Sequence, residues 1–154
     1  MCFAAIAKGV TALATEALTA GRLLGVAEPL LAELASSVPA LLDYATRAVP
    51  TMPPKAYRWI GEMEEIAQIF AALGLPPGML QGAADVYRFV GESPLGRERT
   101  EDRTRGMTLQ DAVEGLARIS SSAEDQARAR PASAWRSTSL ERLVTMIFHS
   151  KTEG

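Results

Sequence analysis

Residues 55–73 read KAYRWIGEMEEIAQIFAAL, and this stretch decides the fold. Ala56, Trp59, Ile60, Met63, Ile66, Ala67 and Phe70 recur at intervals of three and four, the spacing that puts side chains on one face of an α-helix. Lys55, Arg58, Glu62, Glu64, Glu65 and Gln68 fill the other positions, and Gly74 follows as a C-terminal stop. An amphipathic helix of this length needs an apolar partner surface, so the neighbouring sequence must supply one.

Toward the N-terminus the same period recurs, cut by proline. Pro53 and Pro54 break the chain before the helix, and Pro50 is expected to end a preceding segment that opens at Pro39 and carries Leu41, Leu42, Ala45 and Val49. Before it, Pro29 sits in the first turn of a short helix with Leu30, Leu31 and Leu34, ending near Ser36 and Ser37. The first helix runs from Phe3 to Leu24 and stops at Gly25. It is apolar or small nearly all round, so it is expected to be covered on most sides, as a central helix or at a subunit interface. Ala4, Ala5, Gly9, Ala12 and Ala20 permit close helix approach.

Toward the C-terminus, the turn Leu75-Pro76-Pro77-Gly78 leads into a helix marked by Met79, Ala83, Val86, Tyr87 and Val90. Gly96 to Gly106 alternates in charge and reads as a solvated loop. Thr108 then caps a helix carrying Ala112, Val113, Leu116 and Ile119. From Ser120 to Arg136 the periodicity disappears, and residues 120–136 are expected to form a disordered linker. Leu140, Leu143, Val144 and Ile147 suggest a last helix or tail over 137–154. No run alternates in β-branched residues, so the fold class is all-α, a multi-helix bundle over 1–119.

Composition narrows the function classes. A net charge of −2 offers no basic field, which argues against a nucleic-acid partner. The single cysteine, Cys2, has no intramolecular partner and suits a reducing, cytoplasmic compartment. The apolar N-terminus carries Lys8 within it, with Glu16 and Arg22 further along, which argues against a signal peptide or a membrane partner. The sequence holds no glycine-rich dinucleotide fingerprint, no phosphate-binding loop and no metal-ligand spacing, so no cofactor-binding or metal residues are assigned.

Few residues carry chemistry. His149, the only histidine, reads as an exposed helix-end residue. Lys8 lies among Ile6, Ala7, Gly9 and Val10 on a helix expected to be covered, and an ammonium so placed needs an anion, a carboxylate or a water-lined cleft. The plain alternative is a lysine that snorkels to the surface. Lys55, Arg58, Glu62 and Glu65 form a stripe on residues 55–73, in which Arg58 and Glu62, one turn apart, read as an intrahelical ion pair. Trp59, Met63 and Phe70 read as core.

Two stretches carry a family resemblance. Residues Met1 to Leu13 with Glu16, Ala17 and Leu18 resemble the long first helix of the C-terminal domain in 6-phosphogluconate-dehydrogenase-like and β-hydroxyacid dehydrogenase oxidoreductases. Lys55 to Ala67, running into Gly74-Leu75-Pro76 and Gly82-Ala83-Ala84, resembles a subgroup described only as having a 6-phosphogluconate dehydrogenase C-terminal-like domain. The resemblance spans Met1 to about Gly106.

It implies a Rossmann domain holding NAD or NADP, with this helical domain closing the substrate cleft and forming a homodimer through the first helix. It also implies a catalytic lysine immediately before the position of Met1, so no catalytic residue is assigned within the chain. Ala4 stands where the wider family has a substrate-binding asparagine. Lys8 matches a Lys-Gly pair of the subgroup, and Lys8, Arg58 and Glu62 are the residues expected to bind an acidic small-molecule substrate. The expected function is the substrate-binding and dimerisation domain of an NAD(P)-dependent oxidoreductase acting on a hydroxy acid or related alcohol, inactive as this chain alone and binding no cofactor by itself. The alternative is a non-catalytic helical interaction module or a truncated gene product.

Overall fold

Most of the expected breaks in helical period become turns in the computed structural model, which describes residues 1–128 and the side chains as far as Ser121. The helices are α1 (Cys2–Leu23), α2 (Ala27–Ser37), α3 (Pro39–Thr51), α4 (Ala56–Ala72), α5 (Gly78–Glu92) and α6 (Leu109–Arg128). Short 3₁₀ turns at Pro53–Lys55 and Thr100–Asp102 join them, and there is no strand among the described residues. The class is all-α. Met1–Ala123 forms one compact unit, and all packing below lies within it.

α1 and α4 end by the same device. Gly25 and Gly74 adopt φ of +73° and +75°, conformations that glycine reaches without a Cβ penalty. The following N–H groups, of Val26 and Leu75, donate to Gly21 O and Phe70 O at 2.9 Å, closing the Schellman pattern that satisfies the last carbonyls. α3 differs from expectation, because Pro50 does not end it. The helix runs to Thr51 with Pro50 in its last turn. The carbonyl that loses its donor belongs to Thr46, an exposed residue in the last turns of the helix, where a proline costs less than in the middle.

The core has two parts. In the first, α4 and α5 form an antiparallel hairpin, and Met63, Ile66 and Ala67 meet Leu80, Ala83, Ala84, Tyr87 and Val90, joined by Ala5 and Ala12 of α1. Small residues at 67, 83 and 84 let the backbones approach closely. In the second, Leu18 of α1 packs with Ala45 and Val49 of α3 and Ala112 and Val113 of α6, with Leu30, Leu31 and Leu34 of α2 against them. The expected stripes on α2 and α4 therefore face the core. On α5, Met79 is 86% exposed and Leu80 is buried in its place. The buried face is set by residues 80, 83, 84, 87 and 90, and its centre lies nearer residue 80 than residue 79, which sits in the first turn.

α1 is covered on one side, not on most sides. Thr11, Ala12, Thr15, Leu18 and Thr19 are buried, whereas Phe3, Ile6 and Leu13 are 83%, 68% and 62% exposed. By length and hydropathy alone this helix could cross a membrane. Its polar face packs within the bundle, where Thr11 and Thr15 return their hydroxyls to Ala7 O and Thr11 O at 2.8 Å.

Beyond α5 the charged loop is held by Glu98. Its carboxylate accepts the N–H groups of Thr104 and Arg105 at 3.2 Å and the Thr104 hydroxyl at 3.1 Å. Thr108 caps α6 as expected, accepting the Asp111 N–H at 3.1 Å. α6 then continues to Arg128, so the first part of the expected 120–136 linker is helical. Residues such as Ala, Glu, Gln and Arg favour helix even without an apolar period. The rest of that linker and the expected last helix with His149 lie outside the described residues.

Candidate functional site

The site is built where α1 crosses α4 and α5. Lys8 lies on the side of α1 that packs against the bundle, so its side chain is only 16% exposed. A largely covered lysine side chain favours a counter-charge, and Glu62 of α4 supplies it through an ion pair to its Oε2. The Trp59 indole lies 5.0 Å from the ammonium, close enough for a cation–π contact. The indole in turn meets the Tyr87 ring edge-to-face, with centroids 5.2 Å apart and planes at 82°.

Two tyrosines fix the backbone that carries Lys8. The Tyr87 hydroxyl donates to Lys8 O, and the Tyr44 hydroxyl donates to Ala7 O at 2.7 Å. Both carbonyls lie within α1, so α3 and α5 each grip one turn of the helix. Burial, with a further push from Tyr44, drives the Tyr87 pKa well above the ordinary tyrosine value, outweighing a hydrogen bond with the Ala12 backbone. Tyr87 thus stays a neutral donor at any physiological pH. These contacts were not read from the sequence, where Tyr87 counted only as an apolar position. The usable signal is that a tyrosine on a buried helix face must find its hydroxyl a partner.

Arg58 does not form the intrahelical pair with Glu62. Glu62 reaches across to Lys8, and the Arg58 guanidinium lies over the Tyr57 ring at 5.8 Å. Arg58 is exposed and has no acidic partner among the described residues. It is nevertheless near enough to act on Lys8. Burial first, and the Arg58 charge second, hold the Lys8 pKa below the ordinary lysine value. The structure therefore brings Lys8 and Glu62 into contact and keeps Arg58 beside them. Glu62 pairs with Lys8 alone of the two cations, and its side chain is still 48% exposed.

Larger concavities lie elsewhere. A groove of about 350 Å³ runs between α4 and α5 past Glu64, Ala67 and Ala84, and one of about 400 Å³ lies between α1, α2 and α6 past Leu18, Leu31 and Val113. Neither is lined by Lys8, Arg58 or Glu62.

Residues 22–90 match the model of a family described as a domain of unknown function, DUF1932. The match opens in the last turn of α1 and closes in α5, so it takes in Arg58, Trp59, Glu62 and Tyr87 and leaves out Lys8. Thus the α4–α5 hairpin, with all the groups that hold the lysine from that side except the lysine itself, belongs to the matched segment. No curated protein and no solved structure matches the chain.

Proposed function

We propose that this chain is the substrate-binding and dimerisation domain of an NAD(P)-dependent oxidoreductase acting on a hydroxy acid or a related alcohol. The observation that carries the reading is the cationic cluster at the α1–α4 crossing. Tyr87 and Tyr44 anchor the backbone that carries Lys8, Arg58 has no acidic partner among the described residues, and the single carboxylate of Glu62 leaves the cluster net positive. A guanidinium presents paired donors to a carboxylate or phosphate, and an ammonium adds a point charge. The DUF1932 match covers the Lys55–Ala67 segment on which the dehydrogenase resemblance rests, and the all-helical architecture agrees with it.

The described residues do not themselves fit a nicotinamide dinucleotide. That ligand is held at a strand–turn–helix unit with a glycine-rich turn, and no strand is present among them. In this reading a Rossmann domain supplies the cofactor, and the residues here bind and orient the acidic end of the substrate. No step of hydride transfer is assigned to them.

Dimerisation is the second half of the proposal. Phe3, Ile6 and Leu13 lie on one side of α1, uncovered by the other described residues, and a row of large apolar side chains in water favours a partner surface.

The test is a titration of the purified protein with a short hydroxy acid and with inorganic phosphate, followed by NMR. Arg58→Gln is expected to weaken binding about tenfold, the loss of one charge-assisted contact. Absence of binding to both anions, or equal binding by the variant, would overturn the substrate-binding reading.

A further inference from the structure

The cationic cluster already contains an anion. Its cation rises from an anchored backbone: Lys8 O accepts from Tyr87 and the preceding carbonyl from Tyr44, and the Trp59 ring lies 5.0 Å from the ammonium. Its anion is not fixed. Glu62 engages Lys8 through Oε2, no hydrogen bond or ion pair among the described residues holds its Oε1, and nearly half of its side chain faces solvent. Arg58, one turn before Glu62 on the same helix, is placed for an intrahelical ion pair yet does not make one.

We propose that Glu62 is an internal stand-in for a ligand oxyanion. Its carboxylate sits on the Lys8 ammonium in the free protein, and an incoming carboxylate or phosphate, held also by Arg58, displaces it toward solvent. This rests on the anion-binding reading above and adds a sign to it. A carboxylate that merely latches α4 to α1 supports the site, so neutralising it would loosen the lysine and weaken anion binding. A carboxylate that competes for the lysine has the opposite effect. The apparent dissociation constant is the intrinsic one divided by the fraction of molecules whose seat is free, so a seat nine-tenths occupied by Glu62 costs about tenfold in affinity.

The experiment compares the full-length protein with Glu62→Gln, titrated with inorganic phosphate and separately with acetate, with the Lys8 ammonium and the glutamate carboxylates observed by NMR. Glu62→Gln is expected to bind at least one of the two anions about tenfold more tightly. The larger gain identifies phosphate or carboxylate as the natural chemistry. In the wild-type protein the Glu62 carboxyl signal is expected to move toward that of a free glutamate as either anion saturates. Equal or weaker binding by Glu62→Gln overturns the proposal and leaves the anion site standing if the wild type binds. Absence of binding in both proteins overturns the site as well. Should Glu62→Gln fail to fold, the wild-type signal decides: a Glu62 resonance unmoved at saturating anion overturns the displacement.

Discussion

At Lys8, position on the helix determines chemistry. The residue lies on the covered side of α1, so its side chain is partly desolvated and its ammonium takes Glu62 as counter-ion. Lys8→Met keeps the bulk and removes the charge. It is expected to abolish anion binding while changing stability little, because the ion pair's attraction is offset by the desolvation it no longer requires. The check is the same NMR titration beside a urea unfolding curve. Tyr87→Phe removes only the hydroxyl that donates to Lys8 O, so it is expected to lower stability by about 0.5–1.5 kcal/mol, read from the urea midpoint. The need of Lys8 for an anion was legible in the sequence from its apolar neighbours. The identity of that anion was not, since Lys8 and Glu62 are distant in sequence and a closer candidate for Glu62, Arg58, stood one turn away.

Among the elements, α4 was read most fully, because seven apolar positions agree on one face and a glycine closes the helix. Met63 is wholly buried at the centre of that face, and Met63→Ala is expected to cost about 2–5 kcal/mol, measured by denaturant unfolding. The 96–106 loop was legible only as a charged connection. Its order comes from Glu98, whose pKa partial burial raises, but which the Arg105 and Thr104 N–H groups, the Thr104 hydroxyl and the Arg105 charge together bring below the ordinary value of 4.5. A carboxylate with a lowered folded pKa stabilises the fold fully above its unfolded value and loses that contribution as pH falls through the folded one. The melting temperature of the wild-type protein is therefore expected to fall more steeply below pH 4.5 than that of Glu98→Gln. α6 extends to Arg128 because helix propensity persists where the apolar period stops, a case in which periodicity alone ended the element too early.

For the whole molecule, the open question set by the bundle is what covers α1. Ile6→Glu combined with Leu13→Glu places charges in the exposed apolar row without touching the core. The pair is expected to convert a dimer to a monomer in sedimentation equilibrium with the helical circular-dichroism signal unchanged; a wild-type monomer at high concentration would remove dimerisation from the proposed function. The sequence by itself determined that this protein is all-helical, where most of its helices break, and which faces of α2 and α4 turn to the core, since these follow from apolar period, proline and glycine within a few residues of one another. Only the tertiary structure decided which side of α1 is covered, because a helix that is apolar or small all round carries no period to choose a face. It also decided that Tyr44 and Tyr87 grip the turn bearing Lys8 and that Glu62 reaches that lysine in preference to Arg58. Those contacts join residues remote in the chain, and packing rather than local pattern sets their geometry.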